Sequence, residues 1–430
     1  MDYPQARAVL DRLPTLEVKP GLERTLRLLD VLGHPETSFP SIHVAGTNGK
    51  GSVTAMLASV LAHAGLRVGR YTSPELVDFR DRIVVDGSWI GEDELAEGVS
   101  RLVRVIDSDD DPPTLFEALT AIAFDRFARA GVDVAVVEVG LGGRFDATNV
   151  VRPLLSILTN VGPDHLALLG PALERIAWEK VGIAKPGVPL LVGPLDPEVE
   201  RVVQEEVDRV GATLVRSDSS VEVERIAFDW GHAAYRVIGE DLPPAVDLPL
   251  LGGVQGENLR VVLAAVGLLR RLGLVIGQDA IARGLREVSW PGRFEVVRRN
   301  PTIVLDGAHN RPAAEALARD VERYVPERPR RSLLLGILAD KEVDAICQIL
   351  LPLFPTVTLT QSRSRRALPV ERLAEVAASL GAAPTQSRTV EKGLERALAS
   401  LSPADVLVVT GSLTVVQEAR AMLMEPAWRR

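Results

Sequence analysis

The sequence predicts an α/β protein of two domains, each built on a mainly parallel sheet, with the larger domain first. Three observations predict it. Short β-rich apolar runs alternate with longer amphipathic stretches, which is the pattern of parallel strands joined by crossover helices. A chain of 430 residues exceeds what one ordinary core accommodates. The helical pattern also breaks at Ser289-Trp290-Pro291-Gly292-Arg293, and a second strand–helix series begins after it.

In chain order, Ser41–Ala45 reads as the first strand, followed by a glycine-rich turn and a helix over Val53–Ala64. Further strands are predicted at Leu66–Tyr71, Asp133–Val139, Leu154–Thr159 and Val188–Val192, with helices at Leu115–Ala130 and Ala172–Ile183 among the connections. From Leu214 to Leu250 the period shortens, and glycine, proline and apolar alternation predict hairpins at one edge. A helix over Glu257–Leu272 follows. The second series places strands at Thr302–Leu305, Ser332–Ile337, Thr356–Thr360 and Val406–Thr410. The expected domains are residues 1–290 and 291–430, the second long enough for a Rossmann-like fold. Asp107–Pro113 reads as a solvated acidic loop.

Composition narrows the function classes. Hydrophobic residues make up 46% and charged residues 25%, an ordinary globular balance. A net charge of −9 argues against a broad surface for nucleic acid or anionic membrane. An anionic ligand must then be held by a local site. The first residues lack the apolar region of a secretory signal, and the most apolar stretch, Val261–Gly277, is interrupted by Arg270 and Arg271. Cys347 is the only cysteine, which excludes a disulfide framework and a cysteine-cluster metal site. A cytoplasmic protein is expected. Of 49 basic residues only six are lysines: Lys19, Lys50, Lys180, Lys185, Lys341 and Lys392. Arginine cannot shed its proton or act as an amine nucleophile, so a lysine kept in such a chain marks a place where its chemistry is needed, chance aside.

The turn Gly46-Thr47-Asn48-Gly49-Lys50-Gly51-Ser52 joins a strand to a helix. Glycines let backbone N–H groups converge on an oxyanion, and the helix N-terminus adds partial positive charge. Lys50 would reach the β and γ phosphates of a nucleotide, and Ser52 offers a hydroxyl to Mg²⁺. The turn departs from the general phosphate-loop pattern, since Val44 stands at the leading glycine and Gly51 separates Lys50 from Ser52. The first domain is thus expected to be a P-loop-type parallel-sheet domain of the ATPase kind, although the loop by itself says nucleotide phosphate and not which reaction. Glu138 ends an apolar strand and His165 follows the next one, both on the edge where open α/β sheets bind ligands. Both are candidate Mg²⁺ ligands, although His165 taken alone reads equally as a loop histidine. Lys180 taken alone reads as a helix-surface residue. In the second domain Asp306 stands at a strand end, suited to ribose hydroxyls. His309 lies in the turn after it, and Arg293 at the domain break could reach a phosphate.

Seven motifs in order resemble the folylpolyglutamate synthase/dihydrofolate synthase family of the Mur ligase superfamily. They are His43–Ser52, Tyr71–Pro74, Val137–Asn149, Trp178–Gly187, Gly253–Leu259, Pro291–Glu295 and Leu305–Asn310. The resemblance implies a ligase that activates a folate or dihydropteroate carboxylate with ATP and couples it to L-glutamate. It implies ATP contacts at Gly46, Thr47, Asn48, Gly49, Lys50, Gly51, Ser52, Asn258, Arg293 and Asp306. Two Mg²⁺ ions are implied, with Ser52, Ser73, Glu138, His165 and Lys180 as their ligands, Lys180 as a carbamate. Thr114, Leu115, Phe116 and Glu117 would line the pterin pocket together with Phe145, Asp146 and Ala147. Lys50, Lys180 and His309 would be catalytic. Two positions depart from the family. Its histidine after Ser-Pro is Glu75 here, and its Phe-Asn-Glu-Arg-Ile reads Phe79-Arg80-Asp81-Arg82-Ile83. The expected partners are small molecules, with neither nucleic acid nor membrane, and a monomer is the expected state.

The chemistry the residues suit is phosphoryl transfer to a carboxylate. Mg²⁺, Lys50 and Arg293 would offset the charges brought together, and a cleft closing between two domains would keep water from the acyl phosphate. Two rivals remain. A Mur-type ligase acting on a UDP-sugar peptide is expected to carry a further N-terminal domain, for which the residues before Gly46 are too few. A P-loop ATPase switch without ligase activity predicts turnover independent of an acid and an amino acid.

Overall fold

The computed structural model describes residues 1–15, 21–108, 111–164, 170, 172–425 and 428. Among them the strands form three sheets. The first runs β4-β3-β2-β5-β1-β6-β7-β8, made of β1 (Ser41–Ala45), β2 (Val68–Tyr71), β3 (Ile83–Val85), β4 (Ser88–Trp89), β5 (Val134–Glu138), β6 (Leu155–Leu158), β7 (Pro189–Val192) and β8 (Thr213–Arg216). It is parallel from β2 to β8, and β3 and β4 add an antiparallel edge. Central β1 is buried on both faces, as a parallel strand covered by helices must be. Ile42 and Val44, both fully buried, pack with Val136 against the Lys50–His63 helix. Each such side chain contributes about 1.5–3 kcal/mol by leaving water.

That helix starts three residues before the predicted Val53. Gly49, at φ 83°, takes the left-handed conformation at its N-cap, so Lys50 itself opens the first turn. On the opposite face, Tyr71 and Val137 pack with the Leu115–Ala130 helix and with three helices the sequence reading did not assign, Tyr3–Asp11, Glu23–Leu32 and Glu92–Ser108.

The segment predicted as hairpins divides in two. Thr213–Arg216 becomes the parallel edge strand β8, paired with β7. The antiparallel part begins later, as β9 (Glu222–Phe228), β10 (Ala233–Ile238) and β11 (Ala245–Leu248), and forms a sheet of its own rather than an edge of the first. Its buried residues Tyr235, Val237, Val246 and Leu248 join the core around the Gln255–Arg271 helix.

The third sheet runs β12-β13-β17-β14-β15-β16, with β12 (Glu295–Arg298), β13 (Thr302–Leu305), β14 (Arg331–Leu335), β15 (Thr356–Leu359), β16 (Thr385–Gln386) and β17 (Val406–Thr410). Only its edge pair β12–β13 is antiparallel. Asn310 caps the Arg311–Tyr324 helix, accepting from the Ala313 N–H at 3.0 Å. No helix among the described residues is long and apolar enough to cross a membrane.

Candidate functional site

The turns after β1, β5 and β6 leave the same sheet edge, and the turn after β13 meets them. The loop after β1 is held from the side. Asn160 accepts from the Asn48 N–H at 3.0 Å, while Thr159 Oγ1 and Asn160 Nδ2 donate to the Asn48 carbonyl at 2.6 and 2.9 Å. Thr47 Oγ1 donates to the Gly162 carbonyl at 3.0 Å. The approach is so close that a Cβ on Gly46 would stand 1.9 Å from Thr159 Oγ1. One on Gly49 would stand 2.3 Å from Asn258 Oδ1, so Asn258 lies against the loop. Asn258 donates to Gln255 at 2.9 Å, and Gln255 Nε2 reaches the buried Ser52 Oγ at 3.4 Å. Gly51 backs onto the Trp290 ring of the linker.

Two lysines share one carbonyl of this loop. Lys50 Nζ donates to the Gly46 and Thr47 carbonyls at 3.0 and 3.2 Å, and Lys180 Nζ donates to the Gly46 carbonyl at 3.0 Å. Lys180 is only 4% exposed, so the helix-surface reading of it is wrong. Burial, reinforced by the Lys50 charge, lowers its pKa to about 7. Glu138 is buried too, and its pKa is pushed up to about 7 by desolvation, against the pull of Lys50, the Ser73 N–H, Arg293 and Arg70. The Ser73 N–H donates to Glu138 Oε2 at 3.3 Å. His165 lies outside the described residues. Among those described, no three His, Cys, Asp or Glu side chains gather as a metal cluster. Mg²⁺ asks for less, since it keeps waters and takes one or two carboxylates beside phosphate oxygens. A buried carboxylate with the Ser52 hydroxyl on the same edge fits that donor set.

The third sheet reaches the loop through a polar cluster. Asn48 and Asn310 exchange side-chain hydrogen bonds at 3.1 and 3.3 Å, and Asn310 Nδ2 also donates to Asp164 Oδ2 at 3.1 Å. Asp164 accepts from Lys341 Nζ at 2.7 Å, with both side chains under a tenth exposed. His309 Nε2 stands 3.6 Å from the same carboxylate, and its Nδ1 contacts the Gly307 carbonyl at 2.8 Å. Asp164, Asn310 and Lys341 were not singled out as site residues. The available signals were the scarcity of lysine and the place of Asp164 and Asn310 inside turns already marked.

Asp306 accepts the Phe294 and Ala308 N–H groups at 2.8 Å each and so pins the linker to the turn after β13. Desolvation raises its pKa, partly offset by the neighbouring Arg293. Arg293 Nη1 donates to the Gly292 carbonyl at 3.2 Å. The pterin-pocket candidates separate by role. Thr114 and Glu117 form a capping box, and Glu117 also accepts from Arg24 Nε at 3.0 and 3.2 Å, so their polar groups serve the helix start. Leu115 is partly buried, and Phe116 stacks on Tyr71 with ring centroids 5.8 Å apart. Phe145 is 43% exposed. Asp146 and Ala147 are buried, Asp146 accepting from the Leu141 and Thr148 N–H groups at 2.8 and 3.0 Å.

Known proteins share this fold. Residues 44–266 match the Mur ligase middle domain and residues 292–413 the Mur ligase glutamate ligase domain. The probable bifunctional folylpolyglutamate synthase/dihydropteroate synthase of Haloferax volcanii is 39% identical over 98% of this chain and 50% of its own length. The chain thus spans about half the length of that relative. The dihydrofolate synthase/folylpolyglutamate synthase of Bacillus subtilis is 37% identical over 79% of this chain and 80% of its own. A solved structure of the Mycobacterium tuberculosis folylpolyglutamate synthase complexed with ADP superposes with a TM-score of 0.90 at 34% identity, covering 98% of both chains. With both domain models matched in order and the likeness running through 98% of the chain, the chain belongs to the folylpolyglutamate synthase/dihydrofolate synthase family of the Mur ligase superfamily.

Proposed function

We propose that the chain is an ATP-dependent ligase that joins L-glutamate to the carboxylate of a folate or a dihydropteroate, releasing ADP and phosphate. The observation that carries this reading is the buried Lys180 amine, 3.0 Å from the Gly46 carbonyl of the phosphate loop and beside Lys50. A loop that only held nucleotide would need one lysine. A second amine, dried until it titrates near neutrality, is suited to attack CO₂, forming an N–C bond, losing a proton and becoming a carbamate. Its negative charge would then serve Mg²⁺ together with Ser52, Ser73, Glu138 and His165. Bound Mg²⁺ supplies charge neutralisation at the transferring phosphoryl group.

The chain's own residues supply the rest. Gly46–Ser52 would cradle the phosphates, and Lys50 would leave its loop carbonyls for the β and γ oxygens. Asn258, Arg293 and Asp306 would hold the nucleotide from the linker side. A substrate carboxylate oxygen attacks the γ phosphorus, ADP leaves, and an acyl phosphate remains. The glutamate amine then attacks the acyl carbon, phosphate departs, and the amine loses its proton. His309, 3.6 Å from the Asp164 carboxylate, stands where the third sheet meets the loop and is the residue we assign to the incoming glutamate. The Leu115–Phe116 and Phe145–Ala147 segments are the proposed pterin contacts. Residues 1–290 and 291–430 are the proposed domains, and a cytoplasmic monomer belongs to the same reading.

ADP release with dihydropteroate and with tetrahydrofolate, each with and without L-glutamate, tests it. Release that depends on an acid and glutamate together is expected. Release indifferent to both would leave a phosphate-loop ATPase and end the ligase reading.

A further inference from the structure

The loop after β2 departs from its family at Glu75 and at Arg80-Asp81, while Arg82 stands at the family's own arginine, and the structure sets Glu75 on that arginine. Glu75 replaces the family's histidine, and its Oε2 accepts from both Nε and Nη2 of Arg82, the first at 2.6 Å. The pair is largely out of water, with side chains 24% and 11% exposed. The other charged groups of the loop are engaged among themselves. Asp81 takes the N–H groups of Leu76 and Val77 at 3.0 and 2.7 Å, and Arg80 pairs with Asp78 at 2.9 Å and faces Glu92 at 3.5 Å.

Arg82 stands beside the reaction centre. Its carbonyl accepts the Thr72 N–H at 3.0 Å, and the next residue, Ser73, donates its N–H to Glu138. Its guanidinium lies 5.6 Å from the Phe79 ring and within electrostatic reach of Tyr71, which stacks on Phe116. The Phe116 ring in turn abuts Gly140, two residues after Glu138. An aromatic wall with the Arg82 guanidinium at its rim, and Arg7 over the Phe79 ring at 3.7 Å, therefore borders the strand ends where the acid would be activated.

The two candidate acids differ in charge. Dihydropteroate has one carboxylate, the one that reacts. A folyl glutamate has two, so one reacts and the other is carried into the site as a spectator. A spectator carboxylate leaving water needs a cation or several donors, and the planar fork of arginine suits it best. Here that fork is already filled by a carboxylate of the chain itself.

Resting on the ligase reading above, we propose that Glu75 is an internal stand-in for a substrate carboxylate on Arg82, and that it tilts the site toward dihydropteroate and away from folyl glutamates. A folyl glutamate must displace Glu75 before its spectator carboxylate finds a partner, and the displaced Glu75 then adds a like charge nearby. Dihydropteroate meets neither obstacle.

Equilibrium binding decides it without turnover. Dissociation constants for dihydropteroate and for tetrahydrofolate are measured by calorimetry on the full chain, with a non-hydrolysable ATP analogue present, for the parent, Glu75→Gln, Glu75→Ala and Glu75→Asp. In Glu75→Gln and Glu75→Ala the affinity for tetrahydrofolate relative to dihydropteroate should rise at least about tenfold, the scale of one charge-assisted contact regained. Glu75→Asp keeps the charge and should keep the parental ratio within about threefold. Adding Arg82→Gln to Glu75→Gln should cancel the gain. A gain that survives without Arg82 overturns the proposal. So do ratios in Glu75→Gln and Glu75→Ala that match the parent, or no binding of either acid to any of these chains. The two single substitutions decide the matter even where the Arg82 variant does not fold. The ligase reading is judged apart, by ADP release from the parent, so the two can fail separately.

Discussion

Replacing Lys180 by arginine separates the chemistry of that amine from its charge. At its ordinary pKa of 10.5 a lysine is neutral in about one molecule in a thousand at pH 7.5. At about 7 it is neutral in about three of four. The same displacement sets a cost of about 5 kcal/mol on the charged form at this buried position. Arginine keeps its proton and carries that cost in full, whereas the lysine at pH 7.5 escapes only about 1 kcal/mol of it, because giving up its proton below its ordinary pKa costs about 4 kcal/mol. The parent lysine already donates to the Gly46 carbonyl, so the change in charge alone costs about 1 kcal/mol net. Lys180→Arg should therefore lower the melting temperature by only about 1 °C in a chain of 430 residues and, unable to take up CO₂, should turn over little ATP.

Three assays read the chemistry directly. Intact mass or density should show the added carboxylate on Lys180. ADP release from the parent should fall when CO₂ is stripped from the buffer and return with bicarbonate. In CO₂-limited buffer that activity should also fall with pH through about 7, because only the neutral amine reacts. Small carboxylates should partly rescue Lys180→Ala. A Lys180→Arg chain that turns over ATP like the parent would refute the reasoning, since the lost amine would then not matter.

Lys50→Ala should cost about 10²–10³ in ATP turnover with little change in melting, because its ammonium touches only two loop carbonyls; unchanged ADP release would remove it from the phosphates. Arg293→Ala and Asp306→Ala should each raise the KM for ATP about tenfold or more, and Asp306→Ala should also lose about 1–3 kcal/mol of stability by releasing two N–H groups. Unchanged ATP dependence in both would confine nucleotide to the first sheet. Asp164→Asn leaves the Lys341 ammonium without its buried partner and should cost about 3 kcal/mol in denaturant unfolding. Adding Lys341→Met should restore much of it, and no recovery would mean that Asp164 acts elsewhere.

What the sequence by itself determined was local. The glycine-rich turn between a buried strand and a helix, Glu138 at the end of an apolar run and Asp306 before a small-residue turn were all legible. In each, a few adjacent residues carry both the backbone geometry and the chemistry. The parallel order of the two main sheets followed from periodicity. The tertiary structure decided the rest. Lys180 has the pattern of a surface residue on its helix, and only the loop 134 residues away turns it into a dried amine. Asp164 and Lys341, 177 residues apart, became a pair only when the third sheet met the first. Thr213–Arg216 took a parallel place beside β7 because edge pairing depends on which backbone lies open, not on the residues in the strand. Burial and long-range electrostatics are properties of neighbours brought together by folding, and no window of sequence contains both members of such a pair.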